Sequence, residues 1–192
     1  MNKKLAAALS GGAVLTMALS GCSSDDSDDK VNDWAKSVCD QVQPQLKKIS
    51  DANTSIQKQT ADNSKPADVQ RTDSAAFQQI SDAYKAMGGA VDKAGAPPVD
   101  GGDKTQQEAA KELNASAASY AGLKKKVDAL DTKDQAKFAD GLKGIADELN
   151  KISKSGDDAL QKLQSGDVGK AMAKQPGCQK APSGTPSSPA KV

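Results

Sequence analysis

The sequence predicts an all-α protein, an up-down antiparallel bundle of about four helices. Three observations lead there. Apolar residues recur at three- and four-residue spacing in four long segments, as helices with one buried face require. Alanine is abundant and runs of β-branched residues are nearly absent, which favours helix over strand. The breaks between segments are mostly short, and short connections make successive helices antiparallel.

Residues 1–21 have the form of an export leader rather than a bundle element. Lys3 and Lys4 precede an apolar run from Leu5 to Leu19 that is softened by Ser10, Gly11, Gly12 and Thr16. The run is shorter than the ~20 apolar residues a membrane-spanning helix needs and suits a signal core. Leu19-Ser20-Gly21-Cys22 closes it. These four residues resemble the lipobox of bacterial lipoproteins: Leu, a small residue, Gly or Ala, then Cys. The resemblance implies a diacylglyceryl group on the Cys22 thiol, and cleavage that makes Cys22 the first residue of the mature chain. The competing reading is an ordinary secretory signal with a chance cysteine. Ser23-Ser24-Asp25-Asp26-Ser27-Asp28-Asp29 follows, too acidic and too polar to bury a core. Residues 22–29 are therefore expected to form a disordered tether. The EF-hand spacing that would turn the acids into a calcium loop is missing.

The domain is expected over residues 30–178. In helix one, Val31, Trp34, Val38, Val42, Leu46 and Ile49 form the stripe, with Ala35 and Cys39 beside them. Pro44 interrupts it. A mid-helix proline removes one backbone hydrogen bond and crowds the preceding turn, so a kink is expected near Asp40–Gln43, with helix fading by Thr60. Either Pro44 is a hinge or it bends the helix around the core. Ser64 or Asn63 is the candidate cap of helix two, and Pro66 suits its first turn. Val69, Ala76, Phe77, Ile80, Tyr84, Met87 and Val91 carry that helix to Ala94, with Gly88-Gly89 as a small-residue contact.

Gly95-Ala96-Pro97-Pro98-Val99-Asp100-Gly101-Gly102 is the clearest break. Asp103 as cap and Gln106 at the capping-box position open helix three, which Asp131 ends. Thr132 and Gln135 form the next capping box. Helix four carries Phe138, Leu142, Ile145, Leu149 and Ile152 and extends toward Leu163. A short helical piece over Val168–Lys174 delivers Cys178, with Pro176-Gly177 as the stop. Residues 179–192, rich in Pro, Ser and Ala, are expected to be a disordered tail.

Besides Cys22, only Cys39 and Cys178 remain. Export places them where disulfides persist, so they are expected to pair. The alternatives are a redox couple, which would favour Cys-x-x-Cys spacing, or two buried thiols. The chain has no histidine, which removes Ser-His-Asp and Cys-His catalysis and the commonest zinc and copper sites. Formal net charge is +1, or −1 without Lys3 and Lys4 of the leader, and the basic runs are short; there is no electrostatic case for nucleic acid.

Trp34, Val38-Cys39, Pro44 and the late Cys178, set behind Leu-Ser-Gly-Cys, resemble a group of small secreted lipoproteins of high-GC Gram-positive bacteria. The resemblance is strongest over residues 1–60. It implies a surface location and a helical domain and supplies no catalytic residues. The expectation is a body held by lipid at the outer face of the cytoplasmic membrane. That body would be a non-enzymatic binding or accessory module, with an envelope protein as partner and no cofactor or metal. Its contact surface would be a groove between helices or the face near Trp34, unless Trp34 is core. A carrier of a small apolar ligand between helices is the alternative. A hydrolase using Asp140, Asp147 and Glu148 on helix four is the remote third.

Overall fold

A computed structural model describes residues 23–59, 64–163 and 166–179. Residues 1–21, Cys22, the connection over 60–63 and the tail beyond Gln179 lie outside the described residues. The described chain forms helices joined by short connections: α1 (Ser23–Gln59), α2 (Pro66–Ala94), α3 (Gly102–Asp128), α4 (Gln135–Leu163), α5 (Gly166–Ala173) and α6 (Pro176–Gln179), with no strand among these residues. The all-α antiparallel bundle is as the sequence predicts.

α2 is the central helix, packed against α1 on one side and α3 on the other. Hydrogen bonds set the register. Gln79 Nε2 of α2 donates to Lys48 O of α1 at 3.0 Å. Ser81 Oγ donates to Ala117 O of α3 at 2.8 Å, a buried contact between helices. Gln70 Nε2 at the start of α2 donates to Val127 O and Leu130 O, both at 2.9 Å, and so ties the start of α2 to the end of α3 and the turn after it.

The fourth position of the bundle is divided. One core cluster joins Val31, Trp34, Ala35 and Val38 of α1 to Val91, Ala109 and Ala110, and α5 completes it with Val168 and Ala171. The other joins Ala52, Ala76, Phe77, Ile80, Tyr120, Leu123 and Val127, and α4 completes it with Ile145. Thus α4 covers one end of the three-helix core and α5 covers the other. Phe77, Ile80, Leu123, Val38 and Val127 are almost wholly buried, each contributing about 1.5–3 kcal/mol of apolar burial. Tyr120 stacks on Tyr84 with ring centres 5.6 Å apart and meets Phe77 at 6.2 Å.

Several boundaries differ from expectation. α1 begins at Ser23, so the stretch expected as a disordered tether over residues 22–29 is helical from its second residue. Its aspartates lie at the positive end of the helix dipole, and the long helix downstream has already met the nucleation cost. The helix runs on through Pro44, which is exposed on its outer side. Its ring costs α1 one backbone hydrogen bond on the solvent side without entering the core.

α3 begins at Gly102, one residue before the expected cap Asp103. Its N-cap is Gly101 at φ 74°, with no side-chain cap. Gly102 is packed so closely on the Pro97 carbonyl that a Cβ would collide with it, and that contact fixes the helix start. Gln106 is not part of a capping box; its Nε2 donates to Asp92 Oδ1 at 2.9 Å across the loop. Likewise the cap of α4 is Asp134 rather than Thr132, with Oδ1 accepting from Lys137 N at 3.1 Å. At α2 the N-cap position is Lys65, without a side-chain cap, and Pro66 opens the helix as expected. Pro176-Gly177, expected as a stop, instead opens the single turn α6.

Candidate functional site

Of the three cysteines, the described chain brings two together. Cys39 and Cys178 are bonded with Cα atoms 5.2 Å apart across a sequence separation of 139. The geometry follows from the short elements around it. α5 lies along α1, α6 turns back, and Gly177 packs on the Cys39 backbone, where a Cβ would stand 2.7 Å from the Cys39 carbonyl oxygen. Only a residue without a side chain lets α6 come this close. The same interface holds one unsatisfied group, the buried Oδ1 of Asn32, although Gln175 Nε2 donates to the Asn32 backbone carbonyl at 3.4 Å.

Trp34 is core. It is 9% exposed, and its indole Nε1 donates to Gly95 O at 2.9 Å. The bond ties α1 to the loop after α2, where Gly95 takes φ 72°. The core role that its place on the apolar stripe implies holds, and the polar edge of the packed ring holds the 95–101 loop.

Between α3 and α4 lies a cleft of about 200 Å³, lined by Glu112, Ala115, Ser116, Ser119, Lys151 and Ile152. It sits where the two core clusters meet. The small side chains of Ala115, Ser116 and Ser119 leave space there. Farther along, Gly141 packs tightly against Leu130, and the Lys126–Glu148 ion pair joins the helices.

The carboxylates on α4 do not form a paired site. Asp140 and Asp147 are exposed, and Glu148 is taken up by Lys126. The acid in an unusual setting is Asp73 on α2. Only 7% exposed, it is pushed up to about 6 from 3.8 by burial, which removes the water that would solvate its charge. The stripe reading passed over it, although Val69, Asp73, Phe77, Ile80 and Tyr84 follow one helical face; the spacing was the available signal. Burial, with Tyr84 beside it, also raises the Tyr120 phenol well above the usual tyrosine range. Among the described residues, no group of three or more His, Cys, Asp or Glu side chains is placed to hold a metal ion.

The described outer surface is polar apart from small apolar residues. Where side chains are described, the only exposed apolar residues are alanines and prolines, such as Ala75, Ala96, Ala129 and Pro98. Surface ion pairs such as Lys36–Asp40 (2.6 Å) and Lys47–Asp51 (2.8 Å) neutralise the outer face of α1. No described helix is long and apolar enough to cross a membrane. Comparison with family models, with curated proteins and with solved structures gives no match.

Proposed function

We propose that this chain is a lipoprotein held at the outer face of the cytoplasmic membrane by a diacylglyceryl group on Cys22. Its helical body serves as a non-enzymatic binding or accessory module for an envelope protein. The observation that carries the reading is Leu19-Ser20-Gly21-Cys22 directly behind a lysine-led apolar run. The Cys39–Cys178 bond supports it separately, because such bonds persist in oxidising compartments. The absence of large exposed apolar side chains among the described residues suits a body whose attachment resides in its lipid; two acyl chains at about 0.8 kcal/mol per buried methylene give stable anchoring.

The cleft favours a module over a carrier. At about 200 Å³ it is smaller than the roughly 300–1,000 Å³ typical of small-molecule sites, and two serines, a glutamate and a lysine line it. The exposure of Asp140 and Asp147 and the pairing of Glu148 give a two-carboxylate hydrolase no support.

The test is metabolic labelling with radioactive palmitate in a high-GC Gram-positive host. Label should appear on the wild-type chain and vanish in Cys22→Ala, which should also leave the membrane fraction. An unlabelled wild type, or a Cys22→Ala variant that still sediments with vesicles, would overturn the anchor. Crosslinking on intact cells followed by affinity capture tests the module; recovery of no envelope protein under several growth conditions counts against it.

A further inference from the structure

We infer that the bundle stands end-on from the membrane, with the 95–101 loop facing the headgroups and the Ala129–Asp134 turn facing away. The inference rests on the proposed lipid at Cys22 and adds the orientation of what that lipid holds. α1 begins at Ser23, one residue beyond the attachment point, and continues as one helix to Gln59. Among the described residues α1 runs unbroken from Ser23 into the bundle, so its axis sets the direction of the body. At 1.5 Å per residue, Trp34 lies about 17 Å along α1 from Ser23, and Gln59 about 54 Å.

Tertiary contacts carry these levels to the other helices. The Trp34–Gly95 hydrogen bond puts the 95–101 loop at the near level. Gln70, at the start of α2 near the far end of α1, contacts Val127 and Leu130 and so puts the α3–α4 turn at the far level. The disulfide places Gln179 beside Cys39, in the near half.

Two features keep the bundle from lying flat. The side of α1 turned away from the core offers lipid nothing apolar beyond Pro44, and its Lys36 and Lys47 are paired with Asp40 and Asp51. The stretch nearest the lipid carries Asp25, Asp26, Asp28 and Asp29 with Lys30 the one base beside them, and anionic headgroups repel it. The described outer side of α1, neither apolar nor basic, has nothing to hold it flat on the bilayer.

The test is energy transfer to a headgroup acceptor in phosphatidylcholine–phosphatidylglycerol vesicles. Two matched substitutions at exposed alanines, Ala96→Cys and Ala129→Cys, each add a single free thiol for a donor dye when Cys22 is lipidated and Cys39 is bonded to Cys178. Transfer should be severalfold stronger from position 96 than from 129. Equal transfer from both, or the reverse order, overturns the orientation. To separate this from failure of the anchor, a second arm replaces residues 1–22 with a polyhistidine tag on nickel-chelating vesicles. That arm holds the same end of α1 at the bilayer whether or not the cell adds lipid. The same order is expected there, and equal transfer in that arm also overturns it.

Discussion

Asp73→Asn should make the protein more stable at neutral pH and remove a pH dependence that the wild type shows. Asp73 carries its charge above about pH 6 in the fold but above 3.8 in the unfolded chain. Between those values the native state holds a proton that the unfolded state has released, so stability falls as pH rises through the window. Below pH 4 the carboxyl is neutral in both states and the penalty is absent. Above pH 6 the penalty is complete. At 1.36 kcal/mol per tenfold, the lift from 3.8 to about 6 sets a ceiling of about 3 kcal/mol, and the residual solvation of a 7% exposed group brings the expectation to about 2–3 kcal/mol.

Asparagine keeps the shape and one carbonyl without ionising. Urea unfolding followed by circular dichroism, at several pH values from 4 to 8, should show the two proteins nearly equal at pH 4. By pH 7.5 the variant should lead by that amount, some 5–10 °C in melting temperature for a domain of this size. The carboxyls of Asp128 and Asp134 are held low by hydrogen bonds, so they work oppositely, losing stability as pH falls. They are present in both proteins and cancel in the difference. Parallel pH curves for the two proteins, or an Asn variant less stable at pH 7.5, would refute the desolvation argument.

Three further outcomes are expected. Replacing both Cys39 and Cys178 with alanine should lower stability by up to about 5 kcal/mol, the chain-entropy ceiling for so long a loop, read as an earlier urea midpoint. Gly177→Ala should cost roughly 1–3 kcal/mol, because the methyl meets the Cys39 backbone; an unchanged midpoint would show that α6 can shift freely. Asn32→Leu should raise the melting temperature by relieving a buried acceptor worth about 1–3 kcal/mol, and a lower one would mean that its amide has a partner.

Helix content and pairing were legible in the sequence because they rest on periodicity and on chemistry with few alternatives. α2 ends at Ala94 as its stripe and the following Gly95 indicate, and the two cysteines beyond Cys22 permit one bond between them. The caps were less legible. Asp103 and Thr132 satisfy a local capping rule, but a close backbone approach within the loop and an adjacent acid decide the helix starts. Gly102 against Pro97 and Asp134 beside Lys137 do so here. The divided core was invisible because stripes on α4 and α5 say that each helix buries a face, not against which end. Trp34 read as apolar, and nothing local reveals that its N–H reaches a carbonyl 61 residues away. The candidate anchor at Cys22 was read wholly from sequence and lies outside the described residues.

The Cys39–Cys178 bond also decides how the molecule would carry tension. A pull on the chain beyond Gln179 passes through the sulfur bridge into α1 and on toward Cys22. Everything between the two cysteines sits inside a covalent bypass and is shielded from that force. If the C-terminal segment is caught by a moving partner, the strain runs along a short stretch of α1, while α2, α3 and α4 keep their packing slack.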